Sequence, residues 1–145
     1  MKRKSKIRRS AFTLIEVVVV IVILVTLASI ATPLYMNYVK KANVSAAKTQ
    51  IKMFDDALEQ YRGDLGEYPE SLEDLVKDSG DHEDKKWQGP YLKPASIPKD
   101  PWGHEYEYSK ENGENGREYE IVCLGPDGNK GTEDDITNHD GEEKK

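Results

Sequence analysis

The chain has 145 residues, with 27 acidic and 21 basic side chains, a formal charge of −6 and a single cysteine, Cys123. That leaves room for one modest domain, gives a surface unsuited to wrapping nucleic acid, where Lys and Arg must neutralise phosphate, and rules out an intrachain disulfide. The charge is uneven: six cations lie within Met1–Ser10, and the remainder sets 15 basic side chains against 27 acidic ones, a balance of −12.

After the basic leader and Ala11 comes Phe12-Thr13-Leu14-Ile15-Glu16, and from Val17 to Ala31 the residues are almost all apolar. A helix crosses a bilayer with roughly 20 apolar residues at a rise of about 1.5 Å each, and Phe12 to Met36 supplies that length. Lys and Arg ahead of the run hold the N-terminus in the cytoplasm by the positive-inside rule. A secretory signal peptide would place its small cleavage residue after a shorter apolar core, whereas Ala11 precedes a long one. A plain single-pass anchor accounts for the basic flank and the length, but not for Glu16. A carboxylate in a membrane-length segment is costly and marks a functional position.

The helical pattern runs on past the apolar stretch. The hydroxyls of Thr26, Ser29 and Thr32 are expected on carbonyls of the preceding turn, and Pro33 is expected to kink or loosen the helix without ending it. Val39, Ala42, Ala46, Ile51, Phe54, Leu58 and Tyr61 form an apolar stripe suited to packing against a small sheet. Gly63 and Gly66 are expected to stop a helix of about 50 residues. Tyr68 to Val76 reads as a Pro-initiated helix of two turns, and Asp78 to Lys86 as a charged loop. Trp87–Leu92 and Ile97–Gly103 read as a rigid extended segment whose rings lie on the helix. Glu105–Tyr108 and Tyr119–Val122 alternate with the strand period. The hairpin signals Asn112-Gly113 and Asn115-Gly116 lie between them.

Leu124 to Ile136 holds four acids and three glycines. Calcium takes six to eight oxygens, which Asp carboxylates and loop carbonyls can supply. The spacing is not that of an EF-hand, since the fifth position from Asp127 is Gly131 and the twelfth is Asn138. The residues alone leave a solvated acidic turn and a cation cradle both open. His82, His104 and His139 have no metal-ligand spacing, and neither a nucleophile elbow nor a phosphate-cradling loop is present, so the chain does not read as an enzyme.

The ordered string of basic leader, small residue, Phe12, Thr13-Leu14-Ile15, Glu16 and apolar run closely resembles the processing site of type IV pilins and type II secretion pseudopilins. Gly89-Pro90-Tyr91-Leu92, then Asp100-Pro101-Trp102-Gly103 and Tyr106, resembles the signature of the major pseudopilins of type II secretion. The resemblance runs from Phe12 to about Asn138. It departs at Ala11, where the family usually has Gly, at His104-Glu105, where it more often has Asn-Pro, and in the tail. The His104-Glu105 change reads as a surface variation and Asp140–Lys145 as a disordered tail.

The resemblance implies an α+β, type IV pilin-like fold. Its long N-terminal helix, transmembrane in its first half, packs on a small antiparallel β-sheet with a C-terminal calcium loop. Residues 1–11 become a leader removed by prepilin peptidase, 12–36 the transmembrane and assembly segment, 37–139 a periplasmic domain and 140–145 the tail. Cleavage after Ala11 frees Phe12 for N-methylation. Phe12, Glu16 and Pro33 serve assembly, with Glu16 paired to the terminal amine of a neighbouring subunit and Pro33 the place where the helix unwinds. Asp127, Asp134 and Asp135, with the carbonyl of Leu124, hold one calcium ion. The partners implied are further copies in a helical homopolymer, minor pseudopilins, the prepilin peptidase/methyltransferase, an inner-membrane assembly platform and membrane lipid. The filament would stand in the periplasm of a bacterium, above an inner membrane crossed once by each stored subunit, and drive export of folded proteins. Two other readings remain beside it: a type IV pilin of adhesion, motility or DNA uptake, and a membrane-tethered calcium-dependent binding module that never polymerises.

Overall fold

The computed structural model describes residues 12–80, 87–93, 96–113 and 117–140. The leader with Ala11, most of the charged loop, the Asn115-Gly116 turn signal and residues 141–145 lie outside the described residues. The chain divides between Val39 and Lys40 into two compact units. One element, helix α1, Leu14–Leu65, enters both.

In the first unit α1 is apolar and uncovered. Every described residue from Phe12 to Tyr38 is exposed, and α1 is the one helix among the described residues long and apolar enough to cross a membrane. Its few polar side chains turn back on their own backbone. Thr26 Oγ1 donates toward the carbonyls of Val22 and Ile23, at 3.0 and 2.8 Å, Ser29 Oγ to Thr26 at 2.7 Å and Thr32 Oγ1 to Ala28 at 2.7 Å. Pro33 lies inside the helix, which continues past it.

The second unit holds the core. Ala47, Ile51, Phe54, Leu58, Tyr61 and Leu65, spaced by fours and threes along α1, are buried with Tyr68, Leu72, Leu75, Leu92, Tyr106, Ile121, Cys123 and Ile136. The expected stripe is displaced at its start: Ala42 and Ala46 are exposed, and Ala47 and Val44 turn inward instead. Alanine carries too little apolar area to fix the phase of a stripe, which the larger Ile51 and Phe54 set. Gly63 does not stop the helix. It ends at Leu65, with Gly66 at φ 81° donating its N–H to the carbonyl of Arg62 at 2.7 Å.

The two-turn helix expected over Tyr68–Val76 is a single 3₁₀ turn, Leu72–Leu75, opened by Asp74 accepting the Ser71 N–H at 3.1 Å. It cannot lengthen, because its carbonyls are occupied from outside: the Trp87 indole N–H bonds the Asp74 carbonyl at 3.1 Å and the Tyr91 N–H bonds that of Leu75 at 2.8 Å. Trp87 meets Tyr91 edge to face, and Tyr91 meets Tyr61 of α1 the same way. Trp87 thus reaches the helix through Tyr91, while Trp102 is half-buried at the edge of the core.

The sheet is antiparallel in the order β1-β2-β3. β1 is Glu107–Gly113, β2 Arg117–Cys123 and β3 the short Ile136–Thr137. Tyr108 pairs with Ile121, and the register slips between Lys110 and Gly113. Asn112-Gly113 therefore belongs to the end of β1 and not to the turn. Strand β3, too short for a period, had no sequence signal. It is extended by Asn138, whose N–H donates to the Ile121 carbonyl at 3.2 Å while its Oδ1 accepts the Ile121 N–H at 3.1 Å. The Asp140 carboxylate accepts the N–H and hydroxyl of Thr137, at 3.2 and 3.1 Å.

Candidate functional site

Two places hold the residues singled out by the sequence, one in each unit. At the head of α1, Glu16 and Thr13 cap the helix reciprocally. Glu16 Oε2 accepts the Thr13 N–H at 2.9 Å and the Thr13 hydroxyl at 3.0 Å, and Thr13 Oγ1 accepts the Glu16 N–H at 3.3 Å. This is a capping box, in which two backbone donors lacking helical partners are satisfied at once. Phe12, Ile15, Val19 and Val20 share a shallow, open hollow with Glu16 on one face of the helix. An exposed carboxylate among apolar neighbours is held by one threonine, and a cation from outside the chain could compete for it. Pro33 lies further along the same exposed stretch, without an amide proton to offer the carbonyl of Ser29.

The second place is the loop between β2 and β3. Gly125, Gly128 and Gly131 adopt left-handed φ of 64°, 68° and 89°. Substitution is blocked at Gly125, where a Cβ would come within 2.5 Å of the Asp134 carbonyl. The loop curls so that Asp127, Asp134 and Asp135 serve its own amides. Asp127 Oδ1 accepts the Asn129 N–H at 2.9 Å, Asp134 Oδ2 that of Asp127 at 3.3 Å, and Asp135 Oδ2 those of Gly131 and Thr132 at 2.6 and 3.3 Å. The Thr132 hydroxyl lies 2.7 Å from Asp134 Oδ1 and 3.5 Å from Asp127 Oδ1. With a single proton it can satisfy only one of them at a time. The Thr132 hydrogen bond holds the Asp134 carboxyl below its ordinary range, with Lys40 a smaller cause. Lys130 pairs with Glu107 of β1 at 2.9 Å.

The donor set suits a hard cation: it consists of carboxylate, carbonyl and hydroxyl oxygens, with no sulfur or imidazole among the expected ligands. Asp135 Oδ1 is buried with no hydrogen-bond partner, an arrangement that carries a cost unless something else binds it. In the present arrangement the carboxylates are drawn to backbone amides. Among the described residues no three His, Cys, Asp or Glu side chains stand together closely enough to hold a metal ion. Leu124, half-buried, sits where β2 hands over to the loop.

Three side chains around this loop escaped the sequence reading. Asp100 is buried, His104 leans on the loop, and Cys123 donates its thiol proton to Asp100 Oδ2 at 3.3 Å. His104 is thus not a surface variation. Its ring nitrogen Nδ1 lies 3.0 Å from the Gly125 carbonyl, because the Asp100 turn brings it beneath the loop. The string Asp100-Pro101-Trp102-Gly103 did carry a turn signal, with Asp first, Pro second and Gly fourth. Nothing in it pointed to Cys123. On the other side, Asp55 of α1 accepts the Tyr119 hydroxyl at 3.1 Å and the Asn138 amide at 3.3 Å, and burial pushes its carboxyl above the ordinary range.

The family model described as type II secretion system (T2SS), protein G matches residues 34–139, and that of the prokaryotic N-terminal methylation motif matches residues 6–32. The chain belongs to the type II secretion system protein G family. Curated relatives carry the name type II secretion system core protein G. The one from Pseudomonas aeruginosa is 40% identical, covering 92% of this chain and 96% of the relative. That of Aeromonas hydrophila is also 40% identical, over 92% and 94%, and that of Escherichia coli K12 is 36% identical, over 90% and 91%. Among solved structures, the major pseudopilin from the type 2 secretion system of enterohaemorrhagic Escherichia coli superposes with a TM-score of 0.59 at 29% identity, over 71% of this chain and 91% of that one. The fold is therefore that of a pseudopilin, with a long N-terminal helix and a small antiparallel sheet. The methylation motif spans Ala11, Phe12 and Glu16.

Proposed function

We propose that this pseudopilin is a structural subunit, not an enzyme, and that it polymerises into a periplasmic filament of the type II secretion system which drives export of folded proteins. The observation that carries this reading is the uncovered apolar half of α1, headed by the lone carboxylate of Glu16. A surface of that kind is stable only in lipid or against further apolar helices. The subunit is stored across the inner membrane with its N-terminus in the cytoplasm, cut after Ala11 by the prepilin peptidase and methylated on Phe12. An inner-membrane assembly platform then adds it to the growing filament, behind minor pseudopilins at the tip.

Glu16 and Pro33 divide the work of assembly. In the stored subunit the Glu16 carboxylate rests on Thr13. In the filament the Phe12 amine of a neighbour takes its place, since a carboxylate desolvated among apolar helices demands a cation. Pro33 lacks a donor for the preceding turn, so unwinding there breaks fewer hydrogen bonds than at any neighbouring position, and the hydroxyls of Thr26, Ser29 and Thr32 satisfy freed carbonyls. In the C-terminal loop, Asp127, Asp134, Asp135 and the Leu124 carbonyl hold calcium. When bound, the ion supplies positive charge that relieves the repulsion among these carboxylates. The buried, unpartnered Asp135 Oδ1 supports that assignment.

The test is filament formation in the native host by the wild type, Glu16→Ala and Pro33→Ala, with intact mass reporting cleavage. Wild type should give filaments of subunits beginning at N-methylated Phe12. Glu16→Ala should be cleaved and inserted yet give none, and Pro33→Ala should give fewer. Full-length filaments from Glu16→Ala would remove the carboxylate from the mechanism.

A further inference from the structure

The C-terminal loop is fastened to its own unit at a point that the calcium ligands do not explain. Asp100 is only 5% exposed. Its Oδ1 accepts the N–H groups of Trp102 and His104, at 3.0 and 2.8 Å, and so fixes a tight turn. Its Oδ2 accepts the Cys123 thiol at 3.3 Å and lies 3.6 Å from His104 Nδ1. The same Nδ1 is 3.0 Å from the Gly125 carbonyl. Both neighbours of Nδ1 are acceptors, so this nitrogen carries the proton and donates it to Gly125. The Nε2 end of the ring then lies against Gly128, where a Cβ would come within 2.9 Å of Nε2.

The imidazole therefore touches the loop at two glycines, and the His104 backbone N–H is held by a buried carboxylate that β2 also holds through Cys123. We infer that His104 is the positioning residue of the C-terminal loop. By holding the Gly125 carbonyl it fixes the first limb of the loop, where the Asp134 backbone comes so near that a Cβ on Gly125 would lie 2.5 Å from its carbonyl oxygen. The role in docking the loop stands on geometry alone, and its consequence for ion affinity rests on the calcium reading above.

The experiment uses the processed full chain in detergent micelles, as wild type, His104→Asn and His104→Gln. An Asn amide reaches the place of Nδ1, and a Gln amide the place of Nε2, so the pair separates the donor that matters from mere bulk. In chelator, amide hydrogen exchange across residues 124–135 should match wild type in His104→Asn and quicken roughly tenfold in His104→Gln, the factor expected for one lost hydrogen bond. Exchange in the buried part of α1 should not change. Wild-type exchange in His104→Gln, or a rise spread equally over α1 and the sheet, would overturn the positioning role. In a second arm, titration with calcium should give a weaker affinity for His104→Gln than for His104→Asn. A wild type with no calcium response at all would overturn the calcium reading, while the exchange comparison would still decide the role of His104.

Discussion

Helix α1 passes through two regions whose chemistry is opposite. From Leu14 to Tyr38 it buries nothing; the hydroxyls of Thr26, Ser29 and Thr32 bond to the turn before them, and Glu16 to Thr13. From Ala47 to Leu65 one face of the same helix is sealed by aromatic and aliphatic side chains from the rest of the second unit, and Asp55 reaches across to Tyr119 and Asn138. The second region is complete within one chain; the first is not. A helix apolar all round needs an apolar surrounding, so the information in its sequence concerns lipid and neighbouring copies, not this chain's own core.

Equal truncations in the two regions should therefore have unequal effects. Leu58→Ala empties a fully buried position and should destabilise the second unit by about 2–5 kcal/mol, the usual range for buried leucine. Leu24→Ala, on the uncovered stretch, should leave that stability within about 0.5 kcal/mol of wild type. Thermal unfolding of both variants in detergent decides it. Equal losses would mean that the first region also belongs to the core.

Removing calcium should strike only the second region. An ion that binds the folded state alone stabilises it by about 2.7 kcal/mol at a hundredfold excess over Kd, a large share for a small unit without a disulfide. Chelation should lower its unfolding midpoint by several degrees, and Asp134→Ala should abolish the response. Magnesium should substitute poorly, since it holds its waters and demands octahedral geometry. A midpoint indifferent to chelator would leave the loop as an acidic turn closed by Thr132.

The first region was legible almost whole in the sequence, because a continuous apolar run with one acid at its head has few physical readings. The large residues of the second stripe were legible too, as was most of β2, whereas β1 shares only Glu107 and Tyr108 with the segment expected at Glu105–Tyr108. What could not be read depends on contacts between distant residues. The two-turn helix after Tyr68 was stopped by hydrogen bonds from Trp87 and Tyr91, far along the chain. Ala42 and Ala46 gave no phase because their side chains bury little. At the loop, the acids and glycines announced themselves by composition. The Asp100, His104 and Cys123 cluster did not, since each alone is an ordinary residue and only the fold brings them together. Asn138 carried no sign that it would continue a strand with its side chain.

A smaller effect sharpens the same contrast. Burial pushes the Cys123 thiol up to about 11, so at pH 8 only about one thiol in a thousand is ionised. Iodoacetamide should leave it unmodified in folded protein and label it on unfolding. A new cysteine at an exposed position of α1 beyond the apolar stretch, such as Lys48→Cys, should react in the folded protein.

That difference permits the most direct measurement. Ile23→Cys, processed in its native membranes under assembly conditions, is exposed to a short thiol crosslinker with Cys123 out of reach in the core. If the uncovered half of α1 is an assembly surface, covalent dimers should form, and adding Glu16→Ala should reduce the products to monomer. Dimers that persist with Glu16→Ala, or monomer alone in both, would contradict the account.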